Sequence, residues 1–151
     1  HLDELLQNNL QLIWQTGKPY AEKAKERTAG KSFVWAGDFI TQMEYAYAAA
    51  DIVVARAGAM TVAGLCVVKK PVLFLPLPFA AEDHQTVNAM QLVNRNAALM
   101  IKDQEAPERL VPDAIQLAKD EARQLEMKEN ISSLAVTDAD HVIAGEILKL
   151  I

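Results

Sequence analysis

The sequence predicts an α/β protein: a Rossmann-like, doubly wound parallel sheet with helices on both faces and further helices at the C-terminal end. Short apolar runs alternate with longer helical segments between residues 2 and 101. The runs are rich in Val, Ile and Leu, as expected for parallel strands buried on both faces. From residue 107 onward the pattern is helical throughout. Strands separated by helices form βαβ units, whose connections are right-handed.

Five apolar runs are the predicted parallel strands of one sheet, at residues 12–15, 32–35, 51–55, 72–75 and 99–101. Gly17 and Pro19 break the chain between the first strand and the helix that follows. One face of the segment 41–50 carries, at the helical period of 3.6 residues, Met43, Ala46, Tyr47 and Ala50. The predicted helices are 2–10, a segment ending at 27, 41–50, one starting near 61, 85–94, 107–119, 121–134 and 138–151.

Composition is that of an ordinary globular domain. The chain has 151 residues, 51% hydrophobic and 23% charged, which predicts a single domain over 1–151 with a real core. A net charge of −5 and a pI near 5.2 argue against a nucleic-acid partner, because phosphate backbones need clustered Lys and Arg. With Cys66 as the single cysteine, neither a disulfide framework nor a thiolate metal site can form, so we expect a cytoplasmic setting.

The ends of the chain and its hydropathy predict no membrane span. No apolar run approaches the roughly 20 residues that a spanning helix needs, and the N-terminus lacks the pattern of a signal peptide.

Helical periodicity is already present in the first residues, HLDELL, which predicts that a part of the protein lies upstream of His1.

The first candidate binding loop, residues 56–61, follows the third predicted strand. Gly58 allows a positive φ or a close backbone approach to a ligand, and Thr61 is a natural N-cap for the next helix. A helix N-terminus at the carboxyl edge of a parallel sheet is suited to a phosphate. The alternative is that Gly58 only makes a tight turn. Neither GxGxxG nor GxxxxGK[ST] is present to name the nucleotide.

The second candidate loop follows the fourth predicted strand. Pro76 and Pro78 stiffen the strand exit, and the acceptors and donors of Glu82-Asp83-His84-Gln85 open the next helix, with Asn88 one turn on. Sugar hydroxyls require hydrogen bonds of both polarities, which these residues offer. The alternative is a helix-capping arrangement with a solvated His84.

Metal and hydrolytic chemistry are not predicted. His84 has no second histidine at ligand spacing, and His141 lies far along the chain. No GxSxG nucleophile elbow is present.

Taken together, several segments resemble the C-terminal domain of the peptidoglycan N-acetylglucosaminyltransferases of the MurG family. They are DIVVARAGAMT at 51–61, KPVLFLP at 70–76, Asp83-His84-Gln85 with Asn88-Ala89, Phe39-Ile40 with Met43, and QTGK at 15–18. The resemblance runs in order from Leu10 to Ile101. It implies one half of a two-domain GT-B glycosyltransferase. That family transfers N-acetylglucosamine from UDP-N-acetylglucosamine to membrane-borne lipid I, giving lipid II, with inversion and with neither a cofactor nor a metal ion.

The resemblance also implies roles for particular residues. Phe39 and Ile40 would face the uracil, and His84 and Gln85 would contact the N-acetylglucosamine hydroxyls. The ribose and diphosphate would lie against the loop residues Gly58, Ala59, Met60 and Thr61.

This sequence departs from the family's pattern in two ways. The family has a glutamate that holds the ribose hydroxyls where this chain has Gly64. The resemblance also implies that the first strand and glycine-rich loop of the C-terminal domain are missing, together with the whole N-terminal domain. That domain would bind lipid I, contact the cytoplasmic face of the inner membrane and supply the catalytic base, so no catalytic residue is expected in this chain.

Two other functions stay open from the sequence. UDP-sugar 2-epimerases and other GT-B enzymes present a nucleotide diphosphate to the same crevice. A non-catalytic nucleotide-sugar-binding module is the third reading, and Gly64 is the feature that favours it.

Overall fold

A computed structural model describes residues 1–78 and 83–150, and these form helices and parallel strands in alternation. The strands are β1 (Leu12–Gln15), β2 (Val34–Gly37), β3 (Val53–Ala55), β4 (Val72–Phe74) and β5 (Leu99–Met100). The helices of the described residues are α1 (Leu2–Gln7), α2 (Ala21–Thr28), α3 (Met43–Ala49), α4 (Ala59–Val68), α5 (His84–Val93), α6 (Ala106–Lys119), α7 (Glu121–Ser132) and α8 (Ala139–Leu148). The predicted α/β class is confirmed.

All strand pairs in the described ranges are parallel, but they form two ladders and not one. β1 pairs with β2 from Leu12↔Val34 to Gln15↔Gly37. β4 lies between β3 and β5, in the order β3-β4-β5. The prediction of one continuous sheet was therefore wrong. Hydrophobic runs identify strands but not their neighbours, and in a doubly wound topology strands that follow one another across the switch point need not pair.

Two apolar clusters place helices on both faces of the β3-β4-β5 sheet. On one face, Val72 and Phe74 pack with residues of α4, α5 and α7, among them Leu65, Ala89 and Ile131. On the other face, Leu73 and Leu75 pack with Ile101 and the apolar side of α6. Their alternation follows from the two-residue period of a strand. We call β3–β5 with α4–α7 the three-stranded unit, residues 53–132.

The β1–β2 ladder is far less enclosed. With α2 it forms what we call the two-stranded unit, residues 12–37. Ala24 of α2 is the only buried residue among residues 1–56, and Ile13 and Trp35, which pair across the ladder, are exposed. The rings of Trp14 and Tyr20 lie 5.6 Å apart and cover the other side.

The C-terminal helix α8 carries no buried residue. Its exposed apolar side chains include Val142, Ile143, Ile147 and Leu148. In the described ranges, no helix has both the length and the apolar character that crossing a membrane requires.

Candidate functional site at the carboxyl edge

The exits of β3 and β4 meet at one edge of the three-stranded unit, because parallel strands end on the same side. The β3 exit runs from Arg56 to Gly58 and opens α4, and the β4 exit runs from Leu75 to Pro78. The backbone N–H of Leu75 still donates to the Ala55 carbonyl, 2.9 Å away, so the two exits stay in register beyond the strands. This edge is where ligands bind in open α/β sheets.

The start of α4 differs from the sequence-based prediction. Its N-cap is Gly58, and Thr61 is the third residue of the helix, so the prediction of Thr61 as N-cap was wrong. Gly58 has φ −65°, so a positive φ is not what the position requires. No side chain caps the helix, and the N–H groups of its first turn have no carbonyl one turn earlier to bond. The geometry leaves donors available for an anion.

Two further side chains of α4 differ in their exposure. Met60, in the first turn, is 87% exposed, so its side chain is accessible at the edge.

Cys66 is buried further along α4, and burial raises the pKa of its thiol. A neutral buried thiol does not act as a nucleophile.

Gly64 also lies elsewhere on the helix than expected. Because α4 begins at Ala59, Gly64 is its sixth residue, in the second turn, whereas the predicted helix start near 61 would have placed it in the first turn. It follows Met60 by four residues and Thr61 by three, so all three share one helix face. A Cβ built on Gly64 meets no heavy atom within 4 Å, which leaves room for a longer side chain.

Two hydrogen bonds join α5 to the strand exits. The Asn88 side-chain amide donates to the Ala57 carbonyl at 3.1 Å, which fixes the peptide directly before Gly58. The Leu77 backbone N–H donates to Gln85 Oε1 at 2.9 Å. Since the Gln85 oxygen is engaged by Leu77, the amide nitrogen, with its two donors, is the part of the side chain left for a ligand.

The first residues of α5 lie at the surface. Asp83 and His84 are exposed, and Asp83, the N-cap by position, has φ 53°. The Asp83 carboxylate accepts a bond from the Thr86 hydroxyl at 2.7 Å and makes no side-chain bond to the helix N–H groups. The alternative of a capping arrangement is therefore not realised by Asp83. Glu82, which was predicted to lie at the start of this helix, is outside the described residues.

Phe39 and Ile40 lie at the exit of β2, on the two-stranded side. Phe39 is 65% exposed, and its N–H donates to the Asp38 carboxylate at 2.9 Å. The Ile40 N–H donates to Gln15 Oε1, also at 2.9 Å. These bonds tie the pair to the β1–β2 ladder, whereas Gly58 to Thr61 and Gln85 are brought together in the three-stranded unit.

Sequence reasoning missed the role of Arg56, which lies at the centre of the edge. Its Nη1 donates to the carbonyls of Leu75 and Pro76, each at 3.1 Å, and forms an ion pair with Asp103. The available signal was an arginine placed directly after an apolar strand, where a charged side chain needs partners.

Comparison with known proteins decides the family. The model of the glycosyltransferase family 28 C-terminal domain matches residues 1–143. The chain belongs to this family. A relative from Parabacteroides distasonis is 44% identical over 99% of this chain and 41% of its own length, and one from Cytophaga hutchinsonii is 40% identical over 100% of this chain and 40% of its own length. Both bear the name UDP-N-acetylglucosamine--N-acetylmuramyl-(pentapeptide) pyrophosphoryl-undecaprenol N-acetylglucosamine transferase.

A solved structure agrees with this assignment. The crystal structure of Acinetobacter baumannii MurG superposes with a TM-score of 0.81 at 27% identity, over 91% of this chain and 43% of that one. This family 28 chain spans 41% of the length of the Parabacteroides relative, so the two proteins share one part of a longer architecture.

Proposed function

We propose that this chain is the donor-binding part of a transferase that adds N-acetylglucosamine from UDP-N-acetylglucosamine to lipid I, making lipid II for peptidoglycan. The observation that carries the proposal is the joining of two loops at one edge. The open N-terminus of α4 offers backbone donors, and the Gln85 amide nitrogen offers side-chain donors beside it. A nucleotide sugar has an anionic diphosphate next to a hydroxyl-rich ring, which matches that pair of features.

In this proposal each loop binds one part of the donor. Gly58, Ala59, Met60 and Thr61 hold the ribose and diphosphate, His84 and Gln85 hold the sugar hydroxyls, and Phe39 with Ile40 faces the uracil. Because Ile40 already donates its N–H to Gln15, the uracil has that backbone donor only if the Gln15 side chain turns away. The α4 N-terminus then stabilises the diphosphate as it leaves, while the acceptor hydroxyl attacks the anomeric carbon from the opposite face.

The rest of the protein supplies what this chain does not. We infer that residues 1–151 are an incomplete C-terminal domain and that the first strand of its sheet, the acceptor-binding domain and the catalytic base lie upstream. Two separate ladders and coverage of 41% of a relative's length support this. The whole enzyme would work at the cytoplasmic face of the inner membrane, contacting it peripherally through the missing domain.

Titration of the ¹⁵N-labelled chain with UDP-N-acetylglucosamine tests the binding proposal. We expect the largest amide shifts at Gly58, Thr61 and Gln85. Gln85→Ala should weaken binding by about threefold to tenfold, the usual size of one neutral hydrogen bond. Gln91→Ala, on the same helix, is the matched control and should leave the dissociation constant unchanged. Shifts confined to α6–α8 would rule out this site.

Activity assays separate the chain from the whole enzyme. The 151-residue chain should form no lipid II from lipid I and UDP-N-acetylglucosamine, because in this proposal the acceptor-binding domain lies upstream. The full-length protein should form it. A full-length protein that binds the donor without turnover would instead favour the nucleotide-sugar-binding module, the reading that Gly64 supports. Release of an epimerised sugar would favour the 2-epimerase class.

A further inference from the structure

Arg56 connects the exits of three strands. It directly follows β3, and its Nη1 donates to the carbonyls of Leu75 and Pro76 at the exit of β4, 3.1 Å away in each case. The same nitrogen is ion-paired with Asp103, which begins the 3₁₀ turn after β5. One guanidinium group therefore fixes the relative positions of these exits.

The two carbonyls need a donor of this kind. The last backbone bond between β4 and β5 is Ile101 N–H to the Phe74 carbonyl at 2.9 Å, so Leu75 and Pro76 lie beyond that ladder. Both residues are buried. A buried carbonyl without a partner is unfavourable, and a charged donor makes the stronger hydrogen bond. Arg56 thus determines where the β4 exit loop lies.

Arg56 also affects the part of the site that we assign to the sugar, because the loop it holds continues into Leu77. Leu77 follows Pro76, and its N–H holds Gln85 Oε1 at 2.9 Å. That bond holds the Gln85 side chain by its oxygen and leaves the amide nitrogen for a ligand. On the other side, Arg56 lies two residues before Gly58, the N-cap of α4. Arg56 is therefore connected both to the helix start that we assign to the diphosphate and to the amide that we assign to the sugar.

We propose, on the basis of the function proposed above, that the Arg56–Asp103 pair is a positioning device for the sugar of the donor. Arg56 holds the 75–77 loop, and through it Gln85, at a fixed distance from the α4 N-terminus. Asp103 directs the guanidinium toward the two carbonyls and balances its charge, so that Arg56 acts on the loop and not on the diphosphate. The pair thereby sets how well the sugar is bound, while the nucleotide is bound by α4 and the β2 exit.

Calorimetry with UDP and with UDP-N-acetylglucosamine tests the device in this chain. Arg56→Gln should raise the ratio of the two dissociation constants, sugar nucleotide over UDP, by about tenfold, the effect of misplacing a charged-group contact. The constant for UDP itself should change by less than about threefold. Asp103→Asn should also raise this ratio, but by a smaller factor. Arg56→Lys should raise it less than Arg56→Gln does.

Arg109→Gln is the matched control. Arg109 is 51% exposed against 47% for Arg56, and it is also ion-paired, but with Glu105 and Asp113 along α6. For Arg109→Gln, the ratio of the two dissociation constants should equal that of the unaltered chain. Without ligand, Arg56→Gln should already shift the NMR signals of the Leu77 amide and the Gln85 side-chain amide, which Arg109→Gln should not.

The outcomes separate this inference from the proposed function. If the unaltered chain binds neither nucleotide, the proposed function fails and the positioning role fails with it. If both are bound and Arg56→Gln weakens them equally, or leaves the Leu77 and Gln85 signals in place, the positioning role alone is overturned. Should circular dichroism show that Arg56→Gln is unfolded, Asp103→Asn decides the question by the same ratio, since Asn keeps the shape of the half-buried side chain.

Discussion

The three-stranded and two-stranded units are built from similar strands but are enclosed to different degrees. Every residue of β4 is buried, whereas β1 and β2 have no buried residue. In the described residues, the hydrogen bonds that fix the loops assigned to the diphosphate and the sugar belong to the three-stranded unit. The loop assigned to the uracil belongs to the open one. The loops with the more precise positions therefore lie in the densely packed unit, since close-packed interiors resist deformation.

One contact of the intervening helix joins the units. Tyr47 of α3 packs against the larger apolar cluster of the three-stranded unit, so the chain leaving β2 is anchored there before it enters β3. In the described residues the two-stranded unit is therefore attached through helices, α1 as well as α3, and not through a strand ladder. We expect changes in the two units to have unequal effects on stability.

The largest expected difference is between Phe74→Ala and Trp35→Ala. Phe74 is fully buried in the larger cluster, and its removal should lower the free energy of unfolding by about 3–5 kcal/mol. Trp35 is 50% exposed, and its removal should cost less than about 1 kcal/mol. Urea denaturation followed by circular dichroism measures both, with Phe74→Leu as a milder core variant. Equal losses at the two positions would mean that the units are equally important for stability.

Gly64→Glu tests the ligand side of the three-stranded unit. A carboxylate on the Met60 and Thr61 face could accept from the ribose hydroxyls, a charge-assisted bond of roughly 1.5–3 kcal/mol, or about tenfold to a hundredfold in the dissociation constant of UDP. Replacing a helical glycine should also stabilise the fold by up to about 1 kcal/mol. Because Gly64 lies in the second turn, little further gain from the helix dipole is expected.

Calorimetry of Gly64→Glu and of the neutral Gly64→Gln separates charge from helix propensity. The glutamate variant should prefer UDP over its 2′,3′-dideoxy analogue more strongly than the glutamine variant, whose neutral oxygen makes the weaker hydrogen bond. Unchanged UDP affinity in a folded Gly64→Glu chain would show that the ribose is held elsewhere.

In the two-stranded unit, Gly37→Ala should have a moderate effect. A Cβ at this position would lie 2.6 Å from Trp35 Cη2, so the indole must move. Since that ring is half exposed it can turn into solvent, and we expect a loss of about 1 kcal/mol, at the low end for overpacking. The emission of Trp35, read in a Trp14→Phe background, should shift to longer wavelength. Gly145→Ala, whose Cβ would meet nothing within 4 Å, serves as control. An unchanged spectrum would place the indole away from Gly37.

The smallest effects concern two residues in the left-handed region, one in each unit. Lys69 ends α4 with φ 54°, and Gly30 follows α2 with φ 75°. Lys69→Gly should stabilise the chain by up to about 1 kcal/mol, because only glycine adopts this conformation without strain. Gly30→Ala should destabilise it by a similar amount. Thermal unfolding monitors both, and a loss of stability in Lys69→Gly would contradict the assigned strain.

The strands could be predicted from the sequence because their burial is a local property. The prediction for residues 12–15 coincides with β1, and the run at 72–75 contains β4. Helix starts were harder: Thr61 has the right chemistry for an N-cap, yet α4 begins two residues earlier at Ala59. Propensities do not distinguish these starts, because either leaves the same apolar residues on the buried face.

Contacts between distant residues could not be predicted in this way. The split into two ladders depends on which strands pair, and that is decided by tertiary packing. Arg56 and Asp103 lie 47 residues apart, and no periodicity relates them. For the candidate site, the loops were predicted, while the bonds that orient Gln85 and Ala57 became visible only in three dimensions.

The engagement of Arg56 also bears on how binding should respond to salt. Its guanidinium is already ion-paired with Asp103 and hydrogen-bonded to two carbonyls. A diphosphate at α4 would therefore contact backbone N–H dipoles and not this cation. Screening by mobile ions acts most strongly on pairs of full charges in water. The affinity for UDP should therefore decline only gently from low to high sodium chloride, and UDP bound at α4 should be retained at ionic strengths that release nucleotides from lysine-based sites.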